Sequence, residues 1–564
     1  MQDKNISPDQ RTMPFDPFGI MPLSVSIIDA WCRHPDKLQS RCQGFWLNLW
    51  EVQQQVMLRS MGKLIPDFVP ALSADERFRD KAWTENPWFD FLKEYYLLST
   101  RAIEDTIYAT PDVPERNKRK AAFWARHTLN ALAPGNFLWS NPEALNRFIS
   151  TGGQSLVEGY RQWLDDLHKG EISMVNDTAY QLGGDIANTP GKVVFRNYLM
   201  EVIQYAPTTS EVYKTPIVII APWINKYYIL DIAQDKSLIR HLVDRGFTVF
   251  VTSWKNPGPE MRDTTLDDYL TDGALAIINI ARDICGVENV HAVGYCIGGT
   301  LLAVLQAWLA RHDETSSPPI AHWTLLTTLV DFSNPGDMDA FITEDSVNWL
   351  EQKMQEQGYL DGKDMGTTFR WLRANSLIWR YITHNYLYGE TPPPMDVLQW
   401  NVDCTRLPLA MHSFYLRKFY LNNRLVEPEA LVIAGCPIDL RLIKSPLYAV
   451  GTEQDHIAPW RETFKIVDLI TAPVRYTLAS SGHILGILSP PVKPSRRCYW
   501  SGDISGTVAP ETWQQSTKKT SGSWWDDWFV WLEERCGPKV PARMPGSDIF
   551  QVLANAPGTY VLER

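Results

Sequence analysis

The strongest constraint on the fold lies between Ile217 and Ala479, where short apolar runs alternate with amphipathic stretches of helical length. Residues 217–220, 247–254, 290–295 and 323–332 read as strands. Residues 237–245, 266–285 and 299–311 read as the helices between them. Such alternation implies a largely parallel sheet with helices on both faces, because parallel neighbours need a crossover connection. After Asp331 the alternation stops, and 333–438 is rich in Trp, Tyr and Arg with a mostly helical pattern. It resumes with a strand over 447–452, a helix over 461–469 and a strand over 475–479. An insertion of that size between two sheet strands is where a cap sits.

Upstream of the turn cluster Asn188-Thr189-Pro190-Gly191 the period changes. Helices are predicted over 43–63, 88–109, 118–132 and 141–170, and strands over 193–197 and 199–205 follow the turn. Residues 1–30 carry Pro8, Pro14, Pro17 and Pro22 without a clear period and read as a flexible arm. The expected organisation is therefore a mostly helical N-terminal domain over 1–188, beginning with that arm. An α/β catalytic domain follows over 189–564, with its cap insertion at about 333–438.

Composition excludes several classes. Hydrophobic residues make up 45% and charged residues 21%, which suits a large core and rules out a mostly disordered chain. A net charge of −11 argues against a general nucleic-acid binder. No apolar stretch reaches the ~18 residues of a membrane span, and the N-terminal sequence lacks the basic and apolar regions of a secretory signal. The eight cysteines form no C-x-x-C, sit near no zinc-spaced histidine pair, and are too sparse for a disulfide framework. The expectation is a cytoplasmic protein with reduced thiols and no structural metal, seven of the cysteines being small core residues. Near the C-terminus, Trp524, Trp525, Trp528, Trp531 and Leu532 mark one face of a helix, expected to pack on the sheet rather than on lipid.

The eighth cysteine stands apart. Gly294-Tyr295-Cys296-Ile297-Gly298-Gly299 follows a strand and opens a helix, as in a nucleophile elbow with Cys in place of Ser. The flanking glycines let the chain turn sharply and leave the nucleophile clear. A helix N-terminus favours thiolate over thiol. A thiolate attacking a thioester exchanges one sulfur–acyl bond for another of similar energy, so the acyl group stays activated. Taken alone, the motif is equally a small buried Cys in a glycine-rich turn.

An α/β-hydrolase fold needs nucleophile, acid and base in that chain order, each at the C-terminal end of a strand. Asp455 follows the strand 447–452, and His483 follows the strand ending at Ala479. The order Cys296, Asp455, His483 is satisfied. His483 would be the general base and Asp455 its orienting partner. The backbone N–H of Ile297 is one oxyanion donor, and the N–H of Ile224, in the loop Trp223-Ile224-Asn225, is the favoured second. Asp331 is a competing acid, since it also ends a strand, but the cap begins directly after it. Glu453 and His456 flank Asp455 and read as local loop residues. The remaining histidines read as surface or packing residues, and Cys285 as structural.

These residues resemble the polyhydroxyalkanoate synthases, and the resemblance covers most of the chain. The box GYCIGGT fits their class I form. PWINKYYILD (222–231), DFSNPGD (331–337), DVLQWNVDCTRLP (396–408), EQDHIAPW (453–460), SSGHILGILSPP (480–491) and the terminal SGSWWDDW are similar to family signatures. The resemblance implies an α/β-hydrolase fold with a helical cap. It implies polymerisation of short-chain (R)-3-hydroxyacyl-CoA, of the 3-hydroxybutyryl type, into polyester with release of CoA. Cys296 would carry acyl group and chain, and His483 would be the base. Asp455 would orient His483 or help activate the substrate hydroxyl. No cofactor is expected, CoA thioester being substrate and CoA product. The family resemblance also implies a homodimer at the surface of cytoplasmic polyester granules, with Trp400 matching a tryptophan linked with the cap and dimer region. Arg370, Arg373, Arg380, Arg496 and Arg497 are candidates for CoA phosphates, and equally solvated surface charge.

Two other readings stay open on the motifs alone. One is a thioesterase using the same Cys-Asp-His set, with water resolving the acyl-enzyme. The other is a granule-coating scaffold on a hydrolase fold, which would not need Cys296.

Overall fold

The computed structural model describes residues 16–72, 75–176, 179–312 and 317–564. The chain divides into two compact units, Met1–Asn176 with Thr368–Pro393, and Asp177–Thr367 with Pro394–Arg564.

The first unit is helical, with helices Ile20–Cys32, Pro35–Ser60, Pro87–Tyr108, Glu115–Ala131, Pro142–Ser150 and Gln154–Lys169. Of the arm expected over 1–30, residues 1–15 lie outside the described residues, whereas Ile20–Cys32 is helix. Pro22 falls in its first turn, where a missing N–H costs no helical bond. Ala30 and Trp31 are buried, and Trp31 Nε1 donates to Thr110 Oγ1 at 3.0 Å. Two helix starts follow one local rule. Asn86 and Asn141 accept from the first-turn amides of Trp88 and of Glu143 and Ala144, and each is followed by Pro at N1. Asp67, Asp90 and Glu94 gather their carboxylates closely enough to suit a cation. Protein cations already balance them: Arg59 pairs with Asp90 at 2.8 Å and Glu94 at 2.9 Å, and Lys93 pairs with Asp67 at 3.1 Å and Asp90 at 3.2 Å.

Thr368–Pro393, inside the region read as the cap, belongs to this helical unit. The Tyr386 carbonyl oxygen lies 2.0 Å from where a Cβ on Gly159 would be, so only glycine fits there. Tyr386 donates its hydroxyl to Asp166 at 2.7 Å, and Asn385 Nδ2 donates to the Ser173 carbonyl at 2.8 Å.

The second unit is built on an eleven-stranded sheet. Its strands are β1 (Gly191–Arg196), β2 (Met200–Tyr205), β3 (Ile217–Ile220), β4 (Val249–Trp254), β5 (Val290–Tyr295), β6 (Ile320–Leu326), β7 (Leu447–Thr452), β8 (Val474–Ala479), β9 (Cys498–Ile504), β10 (Lys519–Ser521) and β11 (Ala554–Asn555). They lie in the order β10-β9-β8-β7-β6-β5-β3-β4-β2-β1-β11. The central run from β8 to β4 is parallel, and the strands outside it are antiparallel. This is the α/β-hydrolase fold, with the mostly parallel sheet that the alternation predicts. Every residue of β3, β4 and β5 is buried, as expected for strands covered on both faces.

Local differences from the sequence reading have physical causes. The strand predicted over 323–332 ends at Leu326, because Thr327 turns to φ +42. That turn lets Thr328 donate its hydroxyl to the Leu326 carbonyl at 3.1 Å and lie beside the Cys296 carbonyl at 3.3 Å. Cys32 and Cys42 are exposed on their helices rather than in the core, whereas Cys436 and Cys536 are buried. His291 and His322 are buried side by side, ring nitrogens 2.6 Å apart, and burial holds both rings below their usual range.

The tryptophan-rich helix Trp524–Glu533 packs on the sheet, with Trp524, Trp525, Trp528, Trp531 and Leu532 all buried. Trp528 Nε1 donates to Thr324 Oγ1 on β6 at 2.9 Å. Trp528→Ala is expected to destabilise this unit by about 3–5 kcal/mol, the cost of emptying a buried aromatic site. A fall in the urea midpoint with unchanged slope would register it. A loss below about 1 kcal/mol would show that the site collapses and that the helix is not a keystone of the core.

Candidate active site

Between β5 and the helix Ile297–His312 stands a single residue, Cys296. It adopts φ +52, in the left-handed region that side chains rarely enter. Its amide donates to the Leu326 carbonyl at 2.9 Å, tying the turn to the end of β6. The tightness of the turn explains its glycines. A Cβ on Gly294 would lie 2.4 Å from Gly299 Cα, and one on Gly298 would lie 2.4 Å from the Ile220 carbonyl oxygen. Neither neighbour is a side chain that could swing away. Strain held at one non-glycine residue in this way is typical of functional turns.

His483 and Asp455 meet in the same unit. His483 Nδ1 and Asp455 Oδ2 are 2.7 Å apart, and both residues are buried. The remaining capacity of Asp455 is filled: its Oδ1 accepts from the Ile457 and Ala458 amides at 2.9 and 2.8 Å, and Thr452 Oγ1 donates to its Oδ2 at 3.2 Å. Burial pushes the Asp455 carboxyl up. The charge of His483, its hydrogen bond and the two amides outweigh this and leave it below its usual range. Burial would likewise push His483 down, but the Asp455 carboxylate first and the Cys296 sulfur second raise it to about 10. The Cys296 sulfur thus stands close enough to the His483 ring for its charge to act on it. With Nδ1 engaged by Asp455, that leaves Nε2 for the sulfur. The Tyr295 ring stacks on His483 at 5.7 Å and fixes its plane.

The loop after β3 emerges beside the elbow, since Ile220 is in register with Gly294. Ile297 opens its helix, so its N–H belongs to the first turn, where no intrahelical acceptor exists. Ile224 lies in a loop clamped from the cap side. Thr405 Oγ1 donates to the Trp223 carbonyl at 2.7 Å and accepts from the Asn225 amide at 2.9 Å. Trp400 is buried, and its Nε1 donates to the Lys226 carbonyl at 2.7 Å. Lys226 Nζ in turn donates to the Val561 and Glu563 carbonyls and pairs with Asp403 at 2.8 Å. Asn225 takes φ +61 between these anchors. Sequence reasoning missed this clamp. Its one available signal was the clustering of Trp400, Asn401, Asp403 and Thr405 within eight residues of each other, which has no meaning until the chain folds back on 223–226.

The competing acid is engaged elsewhere. Asp331 accepts from the Ser333 amide at 2.8 Å and Asn423 Nδ2 at 2.9 Å, and pairs with Lys465 at 3.3 Å. Glu453 is exposed, and His456 is half-buried. Of the arginines weighed for CoA, Arg370, Arg373 and Arg380 lie in Thr368–Pro393, where Arg380 pairs with Glu76. Arg496 is exposed and Arg497 half-buried in the loop between His483 and β9.

Comparison with known proteins agrees with this architecture. Residues 74–242 match the family model described as the poly-beta-hydroxybutyrate polymerase N-terminus, and residues 225–490 match that of the alpha/beta hydrolase fold. The chain is 40% identical to the poly(3-hydroxyalkanoate) polymerase of Methylorubrum extorquens, over 95% of this chain and 88% of that one. The chain belongs to the poly(3-hydroxyalkanoate) polymerase family. It is also 38% identical to the polymerase subunit of Rhizobium etli, over 97% of this chain and 87% of the relative. With that of Cupriavidus necator the identity is 37%, over 93% and 87%. As a member of this family the chain is an enzyme, and both the helical region and the hydrolase unit lie within the matched span. Among the described residues no helix is long and apolar enough to cross a membrane.

Proposed function

We propose that this enzyme polymerises (R)-3-hydroxyacyl-CoA thioesters of short chain, of the 3-hydroxybutyryl type, with release of CoA. The observation that carries the reading is the Cys296–His483–Asp455 line at the end of a strained elbow. His483 holds the Cys296 proton while the sulfur attacks the thioester carbonyl. The N–H groups of Ile297 and Ile224 receive the developing oxyanion. Collapse expels the CoA sulfur, which takes the proton from His483, and leaves the acyl group on Cys296. His483 then takes the proton of an incoming 3-hydroxyl, whose oxygen attacks the acyl thioester; collapse forms the ester bond, breaks the acyl–sulfur bond to Cys296, and the freed sulfur takes the proton back from His483. The substrate brings its own activated bond, so the cycle needs no cofactor. Arg496 and Arg497, in the unit that holds Cys296, remain candidates for the CoA phosphates.

The same reading makes the enzyme a homodimer at the surface of cytoplasmic polyester granules. Supporting the granule contact, Trp46, Trp50, Met57 and Met61 are exposed and share one face of the helix Pro35–Ser60 and its cap. The alternative is a thioesterase, in which water resolves the acyl-enzyme. Supplying 3-hydroxybutyryl-CoA and following free thiol together with insoluble polymer separates the two. CoA release matched by polyester is expected, and stoichiometric free hydroxyacid without polymer would overturn the polymerase reading.

A further inference from the structure

One hydroxyl from the cap side holds both peptide units that flank Ile224. Thr405 Oγ1 donates to the Trp223 carbonyl at 2.7 Å and accepts from the Asn225 amide at 2.9 Å. The Trp223 carbonyl and the Ile224 N–H belong to one peptide unit. That unit is trans, so the two groups point in opposite directions across its plane. With the carbonyl oxygen drawn to Thr405, the Ile224 N–H is aimed away from it. The Asn225 amide belongs to the next peptide unit, and its bond to the same hydroxyl fixes the turn at Ile224 from the other side. Thr405 is buried, which shields both bonds from exchange with water.

The loop that carries Ile224 has two sets of anchors. Its base lies against the elbow: a Cβ on Gly298 would stand 2.4 Å from the Ile220 carbonyl oxygen and 2.7 Å from that of Ala221. The sheet holds this base, since Thr252 Oγ1 accepts from the Ala221 amide at 3.0 Å and Trp254 Nε1 donates to the Ala221 carbonyl at 2.8 Å. The tip is held from the cap side, by Thr405 and by Trp400, whose Nε1 donates to the Lys226 carbonyl. Asn225 sits at φ +61 within the tip, a conformation that persists where its surroundings impose it. Thr405 is itself anchored in the cap, because Leu407 and Pro408 pair with Leu360 and Tyr359. We propose that Thr405 is a positioning residue for the oxyanion site, aiming the Ile224 N–H at the tetrahedral intermediate on Cys296. The cap then contributes to acylation through this hydroxyl. A donor that meets a charge present only in the intermediate acts through its direction, and a rotated peptide unit forfeits the bond.

The role of Thr405 rests on the reading above, in which Cys296 is acylated and Ile224 receives the oxyanion, and two reactions of the same sulfur test it. With 3-hydroxybutyryl-CoA the sulfur bonds the carbonyl carbon, the carbonyl π pair moves to oxygen, and collapse expels the CoA sulfur with the proton from His483. With iodoacetamide the sulfur displaces iodide from a methylene carbon, and no oxyanion forms. Both are followed in the full chain, in single turnover, by the mass of the peptide that carries Cys296. Thr405→Val keeps the shape and loses the hydroxyl. Its acylation should slow about thirtyfold, less than the loss of a whole oxyanion donor, while alkylation stays within about twofold of the parent. Thr405→Ser restores the hydroxyl and should recover most of the acylation rate. Thr405→Ala serves as a second hydroxyl-free variant should the valine protein not fold. Unchanged acylation without the hydroxyl, an equal slowing of both reactions, or a serine variant as slow as the valine one would overturn the proposal. Damage to the Cys296–His483 pair, or to the fold, slows both reactions together. A parent Cys296 that is alkylated but never acylated would instead remove the polymerase reading.

Discussion

Cys296→Ala is expected to fold like the parent and to lose turnover by about a million-fold, the scale seen when a covalent nucleophile is removed from a catalytic triad. Folding should be spared because Ala keeps the Cβ that the elbow already accommodates at φ +52, and the amide bond to Leu326 does not involve the sulfur. The turnover loss follows because the alanine methyl cannot attack the thioester and leaves no sulfur to carry the acyl group. The matched readouts are CoA release from 3-hydroxybutyryl-CoA and the urea midpoint of the variant. Full activity in a folded Cys296→Ala protein would remove the covalent mechanism and favour a scaffold on a hydrolase fold.

Asp455→Asn should lower kcat by about ten-thousand-fold with little change in KM, as expected when a triad carboxylate loses its charge but not its shape. The amide no longer holds the proton on His483 Nδ1, and Nε2 then loses its readiness to take the Cys296 proton. The substitution also has a signature in stability. The folded-state pKa of His483 is raised to about 10 by Asp455 and Cys296 against the pull of burial. A raised histidine pKa contributes stability that is fully present below the unfolded value near 6.5. That contribution is shed as pH climbs from there towards the folded value. The parent should therefore lose stability between about pH 6.5 and 10 through this group, and Asp455→Asn should show a flatter profile over that window. Undiminished kcat in the Asn variant would transfer the orienting role away from Asp455.

Most of the strand set was legible before folding because buried parallel strands leave an unmistakable trace. Residues 217–220, 249–254 and 290–295 are mostly apolar runs, every residue of which is buried, as strands covered on two faces require. The antiparallel flank was harder to read. Cys498–Ile504 and Ala554–Asn555 carry no strong alternation, and they join the sheet because β8 and β1 present open edges. The helix Ile20–Cys32 was hidden by Pro17 and Pro22, whose local meaning as breakers reverses in a first helical turn.

The candidate site divides along the same line. Cys296, Asp455 and His483 could be named from the chain because each follows a readable strand and the chemistry requires their order. Their approach to one another depends on neighbouring strand ends and on the Trp524–Glu533 helix. Two of its tryptophans donate at 2.9 Å to the Gly486 and Ile487 carbonyls, just past His483. Asp331 and Asp455 are both acids after strands, and a linear reading can only rank them. The structure puts a lysine, an asparagine and an amide around the first and a histidine against the second.

The sequence by itself determined the parallel centre of the sheet, the position of the elbow and the order of the reactive residues, because periodicity and turn chemistry are local properties of a chain. Only the tertiary structure decided which acid meets the histidine, what clamps 223–226, and that Thr368–Pro393 packs with the helical unit. Those outcomes depend on contacts between residues far apart in the chain, and such contacts are selected by the summed burial and hydrogen bonding of the whole fold.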